Sequence, residues 1–510
     1  MLDLGRTFLQ SLERRPQRLA IVDGDVRLTY AQWYERIHAV TGALAALGLE
    51  RGDHLALALQ NRWEMATLHW ACQFLGIIVT PLNWRAKADE LEYCVRDAGA
   101  RAIVFEPVSE EAVAQAAACR TVPRIAVGGA RGGTLAFGQL LQGTPPQEIT
   151  RAVADDCSLM LYTSGTTGRP KGVPRRHRVE RAAALAHVAQ NQYAVGEVTL
   201  GVMPLYHTMG VRSLLAMALV DGTFVCLPRF DTGEALRLIG AEKVTNLYLV
   251  PTLYHDLLAH PDFADADVST VKRIGFAGAP MNDALLKRLA LAFKPQLFVN
   301  HYGSSEIYTF TIDQNAPAKP GSAGRAGFNT RIRVVKLDAG SVQTAPAALA
   351  APGEEGQIIA DRSGDEAFEG YWKRPDADAK ALRGGWYFTG DTGYIDTDGD
   401  LYVTGRVDDM IICGGENISP ADIESVLSFH PSVDEVAVAG MPDERWGQKV
   451  VAFVKAKGTV DAQRLDDYCR ASSLPNYKRP REYVFVKAVP KSPVGKILRR
   501  KLISGEYDKA

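Results

Sequence analysis

The densest set of reactive side chains in this sequence is the stretch LYTSGTTGRPKG, Leu161 to Gly172. Bare glycines expose backbone N–H groups, and the hydroxyls of Thr163, Ser164, Thr166 and Thr167 add donors that can turn toward a ligand. With Lys171 behind them, they offer many hydrogen bonds to an oxygen-rich anion, and a polyphosphate fits. A plain surface loop is the alternative. The order of the segment speaks against it: the apolar strand candidate SLMLY runs straight into the loop, and a charged stretch of helical character follows. It is not the commonest phosphate loop, since counting from Gly165 puts Pro170 where the second glycine of G-x-x-x-x-G-K-[ST] belongs.

Such a loop needs a sheet to hold it. From Leu28 to about Ile125, helix-like stretches (YAQWYERIHAVTGALAAL, MATLHWACQFLGI) alternate with short apolar runs (HLALAL, RAIVFE), the pattern of parallel βα units. The alternation recurs around TLGVMPL, TFVCLP, TNLYLVP, RIGFAG and QLFVNHYG. In open α/β sheets ligands gather beyond the carboxyl ends of the strands, so the residues after these runs are the candidates. Residues 331 to about 402 differ, with short strands and Gly/Asp turns such as TGDTGYIDTDGD, and predict a small β subdomain. Beyond Arg406 about a hundred residues read as compact α+β. The fold class is therefore α/β: a large N-terminal domain (1–405) of two α/β subdomains plus the small β subdomain, and a small C-terminal domain (406–510), with the boundary at GRVDDM.

Composition sets outer limits. The 510 residues, 46% hydrophobic and 23% charged, suit a globular chain of two or three domains. A formal charge of −1 gives no electrostatic reason to expect nucleic acid or an anionic membrane as partner. The seven cysteines form no C-x-x-C pair, which argues against zinc and disulfides and for small core hydrophobes in a reducing compartment. The start, MLDLGRTFLQSLERRP, reads as neither a signal peptide nor a membrane span, so a cytoplasmic monomer or homodimer is the expectation.

Five further stretches follow the loop in order: MPLYHTMG (203–210), GFAGAPM (275–281), HYGSSEIY (301–308), GWYFTGD (385–391) with GRVDDMIICGGENISPADIE (405–424), and PKSPVGKILRR (490–500). Together they resemble the adenylate-forming superfamily of acyl-CoA synthetases, adenylation domains and luciferases, over about residues 20–505. The resemblance implies an enzyme that uses ATP, Mg2+ and coenzyme A to convert a small carboxylic acid first to an acyl-adenylate and then to a thioester. It implies that Thr163, Ser164, Gly165, Thr166, Thr167 and Lys171 clamp the β- and γ-phosphates. Gly278, Ala279, Gly303, Ser304 and Ser305 would line the nucleotide, Tyr302 would stack on adenine and Glu306 would bind the metal ion. Asp391 and Arg406 would hold the ribose. Lys496 would bridge the substrate carboxylate and the α-phosphate, where one ammonium between two anions lowers the transition state. Asp408 would be the hinge on which a mobile C-terminal domain swings, withdrawing Lys496 and presenting Gly414 and Gly415 to a thiol tunnel.

Within that superfamily the stretches ALVDGTFV, DERWGQ, NYKRP and GKILRR are most similar to the aryl-CoA ligases, the chlorobenzoate ligases among them. This closer likeness implies CoA contacts at Trp446, Tyr477, Arg479 and Arg85. It gives His207 a gating or carboxylate-orienting role, and an acyl pocket lined by Ala186, His207, Thr208, Met209, Tyr248, Ala277, Gly278, Ala279, His301, Gly303, Tyr308 and Thr309. Where the aryl-CoA ligase pattern has aliphatic or aromatic residues, Ala186 enlarges the pocket and His301 and Tyr308 bring polar tips. A ring bearing a hydroxyl or amino group is thus favoured over a halide. Arg212, one turn beyond His207, reads as a solvated helix arginine, with pairing to a second carboxylate as the alternative. An aliphatic, alicyclic or dicarboxylic acid, or loading of a carrier protein, is the alternative function.

Overall fold

The computed structural model describes residues 2–147, 151–163, 169–337, 344–413, 416–472, 474–491 and 497–510. They divide into two compact units, Met1–Arg331 with Asp361–Gly385, and Ile332–Ala360 with Trp386–Ala510.

The first unit carries two large sheets, of seven and nine strands. In the seven-stranded sheet His54–Ala58 pairs in parallel with both Ile78–Pro81 and Ala102–Phe105, and all three strands are buried along their whole length. That burial is why they read as unbroken apolar runs rather than alternating ones. The helix Tyr30–Ala46 opens at a capping box in which Thr29 Oγ1 accepts from the Gln32 amide and the Gln32 side chain accepts from the Thr29 amide. At the far edge Cys157–Thr163 pairs antiparallel with Lys171–Arg176, so that Thr163 stands opposite Lys171 and the two ends of the glycine-rich segment are tied together. The helix expected directly after the loop starts only at His177, because KGVPRR forms this return strand first.

The nine-stranded sheet holds the parallel run Val198–Gly201, Asn246–Leu249, Arg273–Phe276 and Leu297–Tyr302 as neighbours in that order. Its core is apolar, from Leu200 and Val225 to Leu247, Ile274 and Phe298.

In the second unit Ile332–Val335 pairs antiparallel with Gly356–Asp361, and Trp386–Ile395 with Leu401–Arg406. A further sheet is built on the long hairpin Val433–Asp443 and Gly447–Ala456. Helices Pro420–Ser428 and Ala462–Ala471 bury Ile423, Leu427, Leu465 and Cys469 in the core that this sheet shares. The small antiparallel sheet thus groups with the last hundred residues, and the expected domain boundary between residues 405 and 406 falls inside that unit. All seven cysteines are free and six are buried, as small hydrophobes are. Among the described residues no helix is long and apolar enough to cross a membrane.

Candidate active site

The parallel strands Arg273–Phe276 and Leu297–Tyr302 lie side by side with Phe276 opposite Asn300, so the residues that follow them emerge together at one edge. Ala277 is buried there, while Gly278, Ala279 and Gly303 are exposed, and Tyr302, Ser304 and Ser305 are half-buried. Gly278 sits at φ +85°, which glycine adopts without strain. A Cβ on Gly303 would run into the Tyr308 carbonyl oxygen, so the chain can fold back on itself only with glycine at this point. The fold-back carries Glu306, Tyr308 and Thr309 inward, and all three are buried.

A buried arginine sets the depth of this loop. Arg175 Nε donates to Glu180 Oε1 at 2.7 Å, and Nη1 donates to the carbonyls of Glu306 and Glu366, both at 2.9 Å. The guanidinium carbon lies 3.9 Å from the centre of the Tyr308 ring, and the Tyr308 hydroxyl donates to Glu180 Oε2 at 3.1 Å. The Glu306 carboxylate in turn accepts from the Tyr371 hydroxyl at 2.7 Å, and the Lys171 ammonium stands 4.2 Å over the Tyr371 ring. Two predicted residues from opposite ends of the primary motifs, Lys171 and Glu306, therefore meet across one tyrosine.

Beyond the strand Val198–Gly201, the Asn61 side-chain amide donates to the carbonyls of Gly201 and Met203 and accepts from the Leu205 amide. This clamp delivers His207 to the N-cap of the helix Thr208–Leu219. The imidazole is held neutral, its pKa lowered to about 4 by burial and then by the charge of Arg212. Thr208 and Met209 are buried beside it. Arg85 is exposed, stacks on Trp84 at 3.8 Å and acts electrostatically on neighbouring Tyr206.

Deeper in, rings form a tier. His187, next to Ala186 on the helix His177–Gln190, lies with its ring centre 4.8 Å from Tyr248 and 5.3 Å from His301, and Tyr248 is 5.2 Å from His301. Asn191 Nδ2 stands 3.0 Å from His187 Nδ1 and 3.1 Å from His301 Nε2. Burial, followed by the field of Arg212, drives the pKa of both histidines well below the ordinary value, so both are neutral.

Arg212 itself overturns the sequence expectation. It is 2% exposed, not solvated, because residues 208 to 218 of its helix are all buried.

In the second unit Arg406 Nη1 donates to Asp391 Oδ1 at 2.7 Å, across strands that place the two residues opposite each other. Asp408 is exposed in the 3-10 turn that follows. Trp446 packs under Arg481 at 4.9 Å, Arg479 is paired with Asp466 at 3.1 Å, and Tyr477 is exposed. Ser164, Gly165, Thr166, Thr167, Gly414, Gly415 and Lys496 lie outside the described residues.

Two family models match the chain: AMP-binding enzyme over residues 8–372, and AMP-binding enzyme C-terminal domain over 422–496. The chain belongs to the AMP-binding enzyme family. It is 34% identical over 499 residues to a 4-chlorobenzoate–CoA ligase from Arthrobacter sp., covering 96% of this chain and 93% of that one. It is 32% identical over 505 residues to a long-chain-fatty-acid–CoA ligase of Mycobacterium tuberculosis, covering 98% and 97%. Among solved structures it is similar to an anthranilate CoA ligase in complex with anthranoyl-AMP, with a TM-score of 0.89 at 27% identity and coverage of 99% and 97%. At the level these relatives share, this AMP-binding enzyme is an ATP-dependent acyl- or aryl-CoA ligase, a class that uses ATP, Mg2+ and CoA.

The residues present fit that set. Glu306 supplies a buried carboxylate, a hard oxygen donor suited to Mg2+, held in place by Tyr371 and by the Arg175 grip on its backbone. When bound, the ion would neutralise charge on phosphate oxygens. Thr163 pairs with Lys171, and the exposed glycines at the sheet edge would allow backbone to approach a nucleotide.

Sequence reasoning missed Arg175, Glu180, Tyr371, Asn61, His187 and Asn191. For two of them a signal existed. Glu180 and His187 share one face of the helix His177–Gln190 at spacings of three and four with the buried Ala183 and Ala184, which marks them as inward-facing polar residues.

Proposed function

We propose that this AMP-binding enzyme activates an aryl carboxylate carrying a polar substituent, forming the acyl-adenylate with release of pyrophosphate and then the CoA thioester. The reading rests on one observation: His187, Tyr248 and His301 form a buried tier of rings less than 6 Å apart, beside the pocket residue Ala186. Flat walls favour a flat substrate, and ring–ring contacts add to simple burial. A saturated chain would gain no such contact.

In this reading Thr163, Ser164, Gly165, Thr166, Thr167 and Lys171 hold the phosphates, and Gly278, Ala279, Tyr302, Gly303, Ser304 and Ser305 receive the nucleoside. Asp391 and Arg406 take the ribose, and Lys496 joins the carboxylate to the α-phosphate. His207, neutral, orients the carboxylate and does not act as its base. Asp408 serves as the hinge of the last domain, Gly414 and Gly415 border the thiol path, and Arg85, Trp446, Tyr477 and Arg479 receive CoA.

Pyrophosphate release across benzoate, hydroxybenzoates, aminobenzoates, cyclohexanecarboxylate, malonate and octanoate tests the reading, with the substituted benzoates expected to give the highest kcat/KM. Preference for octanoate or cyclohexanecarboxylate would overturn it. Lys496→Ala should abolish adenylate formation while largely sparing thioester formation from synthetic acyl-AMP; equal loss in both refutes the role given to Lys496.

A further inference from the structure

Arg212 is a buried cation with donors to spare. Among the described residues its Nε and Nη1 have no hydrogen-bond partner, although the residue is 2% exposed. A guanidinium only donates, so no rotation or tautomer can relieve those two N–H groups. Leaving buried donors of a charged group unmet is costly, and native structures satisfy them with protein groups, ordered water or a ligand.

The surroundings complete it only in part: the Tyr248 side chain hydrogen-bonds to Arg212, while Nε and Nη1 stay unmet. Tyr308 offers Arg212 only a ring face, 5.0 Å from the guanidinium carbon. The carboxylate of Glu366 reaches Arg212 by its field, but its oxygens accept from the Thr309 amide at 3.1 Å and from Asn329 Nδ2 at 3.2 Å. Arg175 has already taken Glu180. Two more buried atoms of the same tier are unmet among the described residues, His187 Nε2 and His301 Nδ1. Beside Tyr308, Arg175 Nη2 and Thr309 Oγ1 are unmet as well, so the unmet atoms belong to two arginines, two neutral histidines and a threonine, and the charge among them is positive.

We infer that Arg212, with His187 and His301, receives a second acidic group on the substrate, making this enzyme a ligase for an aromatic dicarboxylic acid. The inference rests on the aryl-CoA ligase reading above and names its substituent. A carboxylate answers the guanidinium's charge as well as its open Nε and Nη1 donors, which a neutral hydroxyl or amino group does not. On this inference the substrate ring between the two acids packs against the tier of His187, Tyr248 and His301. Five residues separate His207, at the reacting end, from Arg212, about 7.5 Å along a helix axis, a span suited to a ring with an acid at each end.

The test is a kinetic and stability comparison on the full chain with ATP, Mg2+ and CoA. Wild type should give a higher kcat/KM with one of phthalate, isophthalate or terephthalate than with benzoate, 4-hydroxybenzoate or 4-aminobenzoate. Arg212→Met and Arg212→Gln should each cut the ratio of diacid to benzoate kcat/KM by on the order of 100-fold, since a site built for a polar group penalises its mismatch heavily. Arg212→Met also takes a neighbouring charge from the buried Glu366 carboxylate, so both variants are first shown by thermal unfolding to be folded, and the ratio is read on folded enzyme. Preference of wild type for benzoate or the neutral-substituted rings, or an unchanged ratio in both variants, overturns the inference while leaving the aryl reading in place. Preference for glutarate or adipate over every benzenedicarboxylate keeps the acid-binding role of Arg212 but overturns the aryl reading. No activity with any acid overturns both.

Discussion

Removing the Arg175 side chain should unseat Glu306, the carboxylate proposed to bind the metal ion, without touching that carboxylate. In Arg175→Met, Glu180 is left 1% exposed without its cation, and the carbonyls of Glu306 and Glu366 lose their donor. Breaking a buried ion pair by deleting one partner costs about 3–5 kcal/mol, because the remaining charge stays in a poor solvent for it. That raises the unfolded fraction of the first unit roughly 10²- to 10⁴-fold. Deleting both charges is far milder. The double variant Arg175→Met/Glu180→Leu loses the pair and the Tyr308 acceptor but leaves no orphan charge, so it should be destabilised by only about 1–3 kcal/mol. The assay is urea unfolding of wild type, both single variants and the double variant, read as a double-mutant cycle. A coupling energy of at least about 2 kcal/mol is expected. Additive single effects, or a cost under about 1 kcal/mol for Arg175→Met, would refute the reasoning. Because Arg175 grips the backbone of Glu306, folded Arg175→Lys should in addition show a raised Mg2+ requirement, since one ammonium cannot serve a carboxylate and two carbonyls in fixed directions.

Other outcomes follow from the same contacts. Tyr371→Phe removes one donor to the Glu306 carboxylate and should raise the Mg2+ concentration for half-maximal pyrophosphate release severalfold while shifting stability by about 1 kcal/mol, measured by metal titration and urea unfolding. Gly303→Ala should cost more than about 2 kcal/mol and most of the activity, because the new methyl group meets backbone at Tyr308, which cannot step aside; a neutral result in thermal unfolding would contradict this. Five buried histidines, His54, His69, His177, His187 and His301, have pKa values lowered by burial, the first three to about 4, 3 and 4. Each is neutral when folded and protonates near 6.5 when unfolded, so the unfolded state binds more protons below that pH and stability falls from about pH 6.5 toward 4. Asp23, Glu64 and Glu366, raised by burial, act in the opposite sense. Urea unfolding at pH 7 and 5 should show a net loss on the order of 3–6 kcal/mol; equal stability at the two values would contradict the neutral burial of these rings.

Much of the architecture was legible because the signals are local. Runs such as HLALAL and RAIVFE become strands buried on both faces, and the residues after RIGFAG and QLFVNHYG do emerge together at one sheet edge. The strand KGVPRR was hidden because its partner, Cys157–Thr163, and not its own periodicity, decides its state. Tyr371 was hidden for a related reason: it lies 65 residues from Glu306, whose carboxylate it holds.

Motifs in the sequence alone pointed to the family and the order of the α/β units, because those depend on residue type at short range. The tertiary structure decided which polar residues are dry. Arg212 is the clearest case. As the lone charge of TMGVRSLLAMAL it looks like the solvated side of a helix, yet that helix is enclosed by the core on every side. Burial is a property of what surrounds a residue, assembled from chain segments far apart in sequence, and no periodicity within twelve residues carries it.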